Sequence, residues 1–178
     1  MDMGTENQNS IAKRIIEGSL TFDSVEDFEN TLAIFPKNPG VHRAYGDMLA
    51  EAESYHAAAE AYRKACRLFI DQAMLLQAMV AKILEWRLVR PSHKEARSFH
   101  ATVKQLASDD LPVKTFITRM TYPEMIAFMM KLVRVRLPAQ KLIKKRGDVE
   151  DDLYFIVSGA LKETIRASST GHPEISNA

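Results

Sequence analysis

Residues 38–65, NPGVHRAYGDMLAEAESYHAAAEAYRKA, read as two successive helices. Asn38 can cap a helix start with its side-chain oxygen. Pro39 sits at the first helical position, where its missing N–H costs no hydrogen bond. Val41, Tyr45 and Leu49 recur at helical spacing and share one face. In the second of them, residues 55–70 (YHAAAEAYRKACRLFI) are rich in alanine, the best helix former.

The same style continues outward on both sides. Ser10 precedes Ile11, Ile15 and Ile16, which predicts a first helix from there. Ser24 and Asp27 make a near capping box, and Phe28, Leu32 and Phe35 follow until Pro36 stops the helix. On the far side, Asp71 is expected to open a fifth helix, QAMLLQAMVAKILEWRLV, apolar on most sides and therefore buried. Pro91-Ser92-His93-Lys94-Glu95 is a full capping box for a sixth helix reaching about Leu106. A shift of 34 residues aligns Ile11, Tyr45 and Met79, then Ile15, Leu49 and Ile83, then Ser24, Ala58 and Ser92. That period, with two helices per unit, is the mark of stacked helical hairpins. The central unit resembles a tetratricopeptide repeat: Tyr45-Gly46, Leu49, Ala58, Tyr62 and Ala65 match its small and large consensus positions, and Pro36 closes the preceding unit. The flanking units depart from it, with Ala12 and Val80 where the repeat has glycine. The resemblance covers residues 8–106 and implies packing through Gly46, Leu49, Ala58, Tyr62 and Ala65, with a surface for a protein partner. A generic helical bundle is the other reading.

Residues 107–112 read as a linker, a polar turn with proline. Thr121 and Glu124 frame another capping box, and Met125, Met129 and Met130 follow at core spacing. The period then changes to two: Val133, Val135 and Leu137 alternate with Arg134 and Arg136, which predicts a half-buried strand with its arginines in water. Leu142-Ile143, residues 153–157 and residues 161–165 read as further strands. With the turns at Pro138 and at Gly147-Asp148, and with Gly159, these residues resemble the opening strands of a cyclic nucleotide-binding domain of the catabolite-activator and kinase-regulatory-subunit type. The expected fold is therefore mainly α, antiparallel helical-hairpin repeats followed over residues 113–178 by a small, incomplete antiparallel β-roll. The family's phosphate cassette, Gly-Glu followed by Arg-x-Ala, has no counterpart after Ile165. The pocket wall implied by the resemblance is Lys144, Leu161, Glu163 and Ile165. The family keeps apolar residues at the places of Lys144 and Glu163, so either the register is displaced by one residue or the pocket is degenerate. No cofactor is expected on this chain, cyclic AMP or cyclic GMP only if the domain is completed beyond Ala178. Unfinished strand edges are expected to favour self-association.

Composition narrows the function classes. Among 178 residues, 24 Lys and Arg stand against 23 Asp and Glu, a net charge of +1 that does not call for nucleic acid. Seven cations between Lys131 and Arg146 are the one charge anomaly, and Asp148, Glu150, Asp151 and Asp152 follow them. No apolar run reaches the ~18 residues of a membrane span, and the first residues do not form a signal peptide. A cytoplasmic location without membrane contact is expected. Cys66 is alone and reads as a small core residue; no metal site is expected, because His93, Glu95 and His100 fall on different helix faces. The histidines read as surface or cap residues. Nothing forms a catalytic constellation. The chain therefore reads as a non-enzymatic regulatory protein, with helical repeats for protein interaction coupled to a cyclic-nucleotide-type sensor. The competing reading is a plain protein-binding scaffold with a non-binding strand domain.

Overall fold

A computed structural model describes residues 3–107, 114–138, 141–145, 147–149 and 152–159. Its described helices are α1 (Met3–Glu17), α2 (Val25–Ile34), α3 (Pro39–Glu51), α4 (Tyr55–Asp71), α5 (Leu75–Leu88), α6 (His93–Leu106), α7 (Lys114–Arg119) and α8 (Tyr122–Lys131). The starts of α2, α3, α6 and α8 follow side-chain caps. The Asp27 N–H donates to Ser24 Oγ at 3.1 Å, the Val41 N–H to Asn38 Oδ1 at 3.1 Å and the Glu95 N–H to Ser92 Oγ at 3.2 Å. At α8 the Thr121 N–H donates to Glu124 Oε2 at 2.8 Å, the reciprocal half of a capping box.

Helix ends are set by backbone geometry. α1, α3 and α4 close with the same paired bonds, in which the N–H groups of Ser19, Ser54 and Met74 donate to the carbonyls of Arg14, Leu49 and Phe69, all at 2.9 Å. The residues that turn left-handed there are Gly18 (φ 75°), Glu53 (φ 58°) and Ala73 (φ 56°). The expected start of the fifth helix at Asp71 is therefore corrected: α4 runs through Asp71, and the break falls at Gln72–Met74. The first helix likewise begins at Met3 rather than Ser10.

α4 lies between α3 and α5, and small side chains let the three approach closely. Gly46, Ala58, Ala59, Ala65, Ala78 and Ala81 are all buried. A Cβ on Gly46 would sit 2.7 Å from the Tyr62 ring, so only glycine fits where α3 meets α4. Ala12, Ile15, Phe28, Phe35, Val41 and Ala44 form one core cluster from α1 to α3. A larger one joins α4 through α8: Phe69, Met79 and Trp86 pack with Phe99 and Val103, and with Ile117, Met125 and Met129.

The expected β-roll is not found; among the described residues there is no strand, and the fold is helical. Extended backbone does follow α8, as the period of two requires, but among the described residues no strand is formed with it. The facing is also the reverse of the expectation. Val133, Val135 and Leu137 are 71%, 60% and 44% exposed, while the Arg134 side chain is 24% exposed and turns to α3. Alternation reports an extended chain; a sheet additionally needs a partner ladder and an apolar layer to lie on. Leu142 and residues 153, 154 and 156 are exposed as well.

The chain groups into two units, Met1–Ile143 and Lys144–Ala178. Of the expected linker only Ala107 is described, and α7 and α8 belong to the first unit. In the second unit, Gly147 (φ 94°) and Gly159 (φ 90°) take left-handed turns. The Asp148 N–H donates to the Lys145 carbonyl at 3.1 Å, and Asp148 Oδ2 accepts from the Lys145 N–H at 2.8 Å.

Candidate functional site

The first unit carries an arginine–carboxylate cluster where α3 meets α4. Helical spacing places Arg43 and Asp47 one turn apart on α3. Asp47 is 8% exposed, and the Tyr62 hydroxyl of α4 donates to its Oδ1 at 2.9 Å. Burial, and then the Asp47 charge, push the Tyr62 phenol far above its ordinary value, so it stays a donor at any physiological pH. Arg134 meets the same carboxylate as a fork, Nη1 to Oδ2 at 3.1 Å and Nη2 to Oδ1 at 2.8 Å. Arg136 Nη2 reaches Oδ2 at 2.5 Å. Arg87 Nη2 donates to the Leu132 carbonyl where the chain leaves α8. Arg43 Nε is buried without a hydrogen-bond partner. Burial, opposed by Asp47 but aided by Arg134 and Arg136, pulls Arg43 below the usual guanidinium value. Asp47 is thus an acceptor shared by one phenol and two guanidinium groups.

A second polar cluster lies inside the α4–α6 core. Lys82 Nζ donates to Glu85 Oε2 at 2.6 Å and to Glu95 Oε1 at 3.3 Å, and Arg63 Nε donates to Glu85 Oε1 at 2.8 Å. The Trp86 Nε1–H donates to Glu95 Oε1 at 3.0 Å. Lys82 Nζ lies 5.8 Å from the Trp86 ring centre and 5.6 Å from that of Phe99. Burial opposes ionisation of Glu95, but Trp86 and Lys82 hold its carboxyl below the ordinary carboxylate range. Every charge here has a partner inside the protein, the pattern of a structural network.

The residues expected from sequence divide accordingly. Gly46, Leu49, Ala58, Tyr62 and Ala65 are buried together where α3, α4 and α5 pack. Pro138, Lys144, Gly147, Asp148 and Gly159 are exposed turn or loop residues. Leu161, Glu163 and Ile165 lie outside the described residues. The tetratricopeptide-like pattern drew attention to Tyr62 but passed over Asp47 and Arg43. An acid and a base within one apolar helical face, as also at Lys82 and Glu85, is the signal that marks them.

Three other candidates resolve. His93 Nδ1 pairs with the Tyr122 hydroxyl at 2.9 Å, and His100 Nε2 with the Met120 carbonyl at 3.0 Å, so the two do not converge. Among the described residues no cluster could hold a metal ion. Cys66 is buried in the core, and burial pushes its thiol up to about 12. His42, expected as a surface or cap residue, is 1% exposed and pairs through Nε2 with the Pro36 carbonyl at 3.0 Å. Burial lowers its pKa. The unfolded chain, titrating at about 6.5, therefore binds a proton more readily than the folded one. His42 contributes stability that is complete above that value and is lost as pH falls below it toward the folded value. Urea unfolding at pH 7.5 and 5.5 should show stability dropping with pH, and His42→Gln should flatten the drop. An unchanged slope would assign the dependence elsewhere.

Among the described residues no helix is long and apolar enough to cross a membrane. Compared with known proteins, the chain matches no family model, no curated protein and no solved structure.

Proposed function

We propose that this chain is a non-catalytic protein-interaction module, in which stacked helices present the α3 face to an extended polypeptide segment. One observation carries the reading. An extended stretch, residues 133–137, already lies on that face and is held by the Arg134 fork and a single Arg136 contact rather than by a sheet ladder. Rigid packing supports it, because the Gly46–Tyr62 contact fixes the acceptor before any ligand arrives and so lowers the ordering cost of binding. The tetratricopeptide resemblance points the same way. The sensor part of the expected function depended on a β-roll that the described residues do not form, and it is not carried forward.

Random peptides displayed on phage and selected against the full chain carrying Arg134→Ala and Arg136→Ala test the reading. Selected peptides should slow amide hydrogen exchange in α3. Protection confined to other helices, or a selection that yields no binder, would overturn it.

A further inference from the structure

Resting on that reading, we infer that residues 132–137 are a resident, displaceable ligand of the Asp47 site. The ligand it competes with is an extended segment of a partner bearing arginine at one position and again two residues later. Side chains at i and i+2 of an extended chain point to one side, ~7 Å apart along the backbone. Arg134 and Arg136 use that spacing to bring both guanidinium groups to one carboxylate. The fork of Arg134 on Asp47 is a planar, two-bond match that lysine cannot make.

The segment is held by its arginines rather than by apolar burial. Beyond Leu132, which packs against the core, its apolar side chains face water, Val133 at 71% and Val135 at 60% exposure, so docking of residues 133–137 removes little apolar surface. Three guanidinium groups, those of Arg43, Arg134 and Arg136, crowd one carboxylate, and Arg43 Nε has no hydrogen-bond partner. Both arginines of the arm are thus opposed by Arg43 even as Asp47 attracts them. A competing segment that makes the same fork and adds apolar contact to the helices displaces such an arm. The buried carboxylate also selects the class of partner. A phosphate backbone or an anionic membrane would be repelled by Asp47 and offers no fork donor.

The probe is the arm itself, a labelled peptide LVRVRLP corresponding to residues 132–138, followed by fluorescence anisotropy against the full chain. The vacated protein, Arg134→Ala with Arg136→Ala, should bind it at least about tenfold more tightly than the native chain, because a site occupied most of the time lowers apparent affinity by its free fraction. Adding Asp47→Asn, which keeps an acceptor for Tyr62, should weaken binding by about tenfold or more, and so should a peptide with lysine at both arginine positions. If the alanine variant does not melt cooperatively, Arg134→Lys with Arg136→Lys replaces it under the same criterion. Equal binding to native and vacated chains overturns the resident-ligand inference. Binding indifferent to Asp47→Asn, or none to the vacated chain, overturns the site assignment. In either case phage-selected peptides of other chemistry that still protect α3 would leave the interaction-module reading standing.

Discussion

Replacing Glu85 with alanine should lower the unfolding free energy by about 3–5 kcal/mol, because it strips the partner from a buried cation. Glu85 is 1% exposed and holds two bases, Lys82 at 2.6 Å and Arg63 at 2.8 Å. Arg63 keeps Glu60 at the surface, but the Lys82 side chain, 9% exposed, would be left with Glu95 at 3.3 Å. Changing both members to apolar residues of similar size, Lys82→Met with Glu85→Leu, should recover most of the loss, since a pair removed together leaves no orphaned charge. Urea titrations of Lys82→Met, Glu85→Leu and the double variant give the coupling. Strictly additive losses would show that the pair is not the unit of stability.

Ala58→Glu should be as damaging. Ala58 is fully buried and clusters with Leu49, Ala61 and Tyr62. A glutamate there both overpacks the crossing and buries a carboxylate, costs that together exceed about 3 kcal/mol. Native stability is only about 5–15 kcal/mol, so the melt should shift strongly or lose cooperativity. Glu60→Ala, on the outer side of the same helix, should stay within about 0.5 kcal/mol. Similar melts for the two variants would mean that α3 and α4 do not pack as described.

What was legible in the sequence was local. Ser24, Asn38 and Ser92 cap helices because the donor they satisfy lies three residues away in the chain. Tyr62 and Gly46 were readable through spacing, since large and small residues at those separations meet when hairpins stack. The ends of α3 and α4 were not readable, because Glu53 and Ala73 occupy left-handed positions where glycine would have announced the turn. For a residue with a Cβ that conformation costs roughly 1–2 kcal/mol, and the paired backbone bonds offset it. The residues after α8 misled for a different reason. Alternation of Val133, Arg134 and Val135 specifies extended backbone, but whether a second strand lies beside it is decided elsewhere in the chain. Which way the arginines face was decided by Asp47, 87 positions before Arg134. His42 was misplaced for the same reason. Its burial depends on neighbours and on the Pro36 carbonyl, and a lone histidine on a helix carries no local mark of that.

The short left-handed turns also order events in time. Closing a loop costs entropy that grows with the logarithm of its length. The α3–α4 and α4–α5 hairpins close over three residues each, whereas the Arg134–Asp47 fork closes over 87. Contacts among α3, α4 and α5 therefore belong to the early, nucleating part of folding, and the arm docks onto a surface that is already built. Run backwards, the arm is expected to detach through an opening far smaller than global unfolding, which would uncover the face of α3 while the helices behind it stay folded.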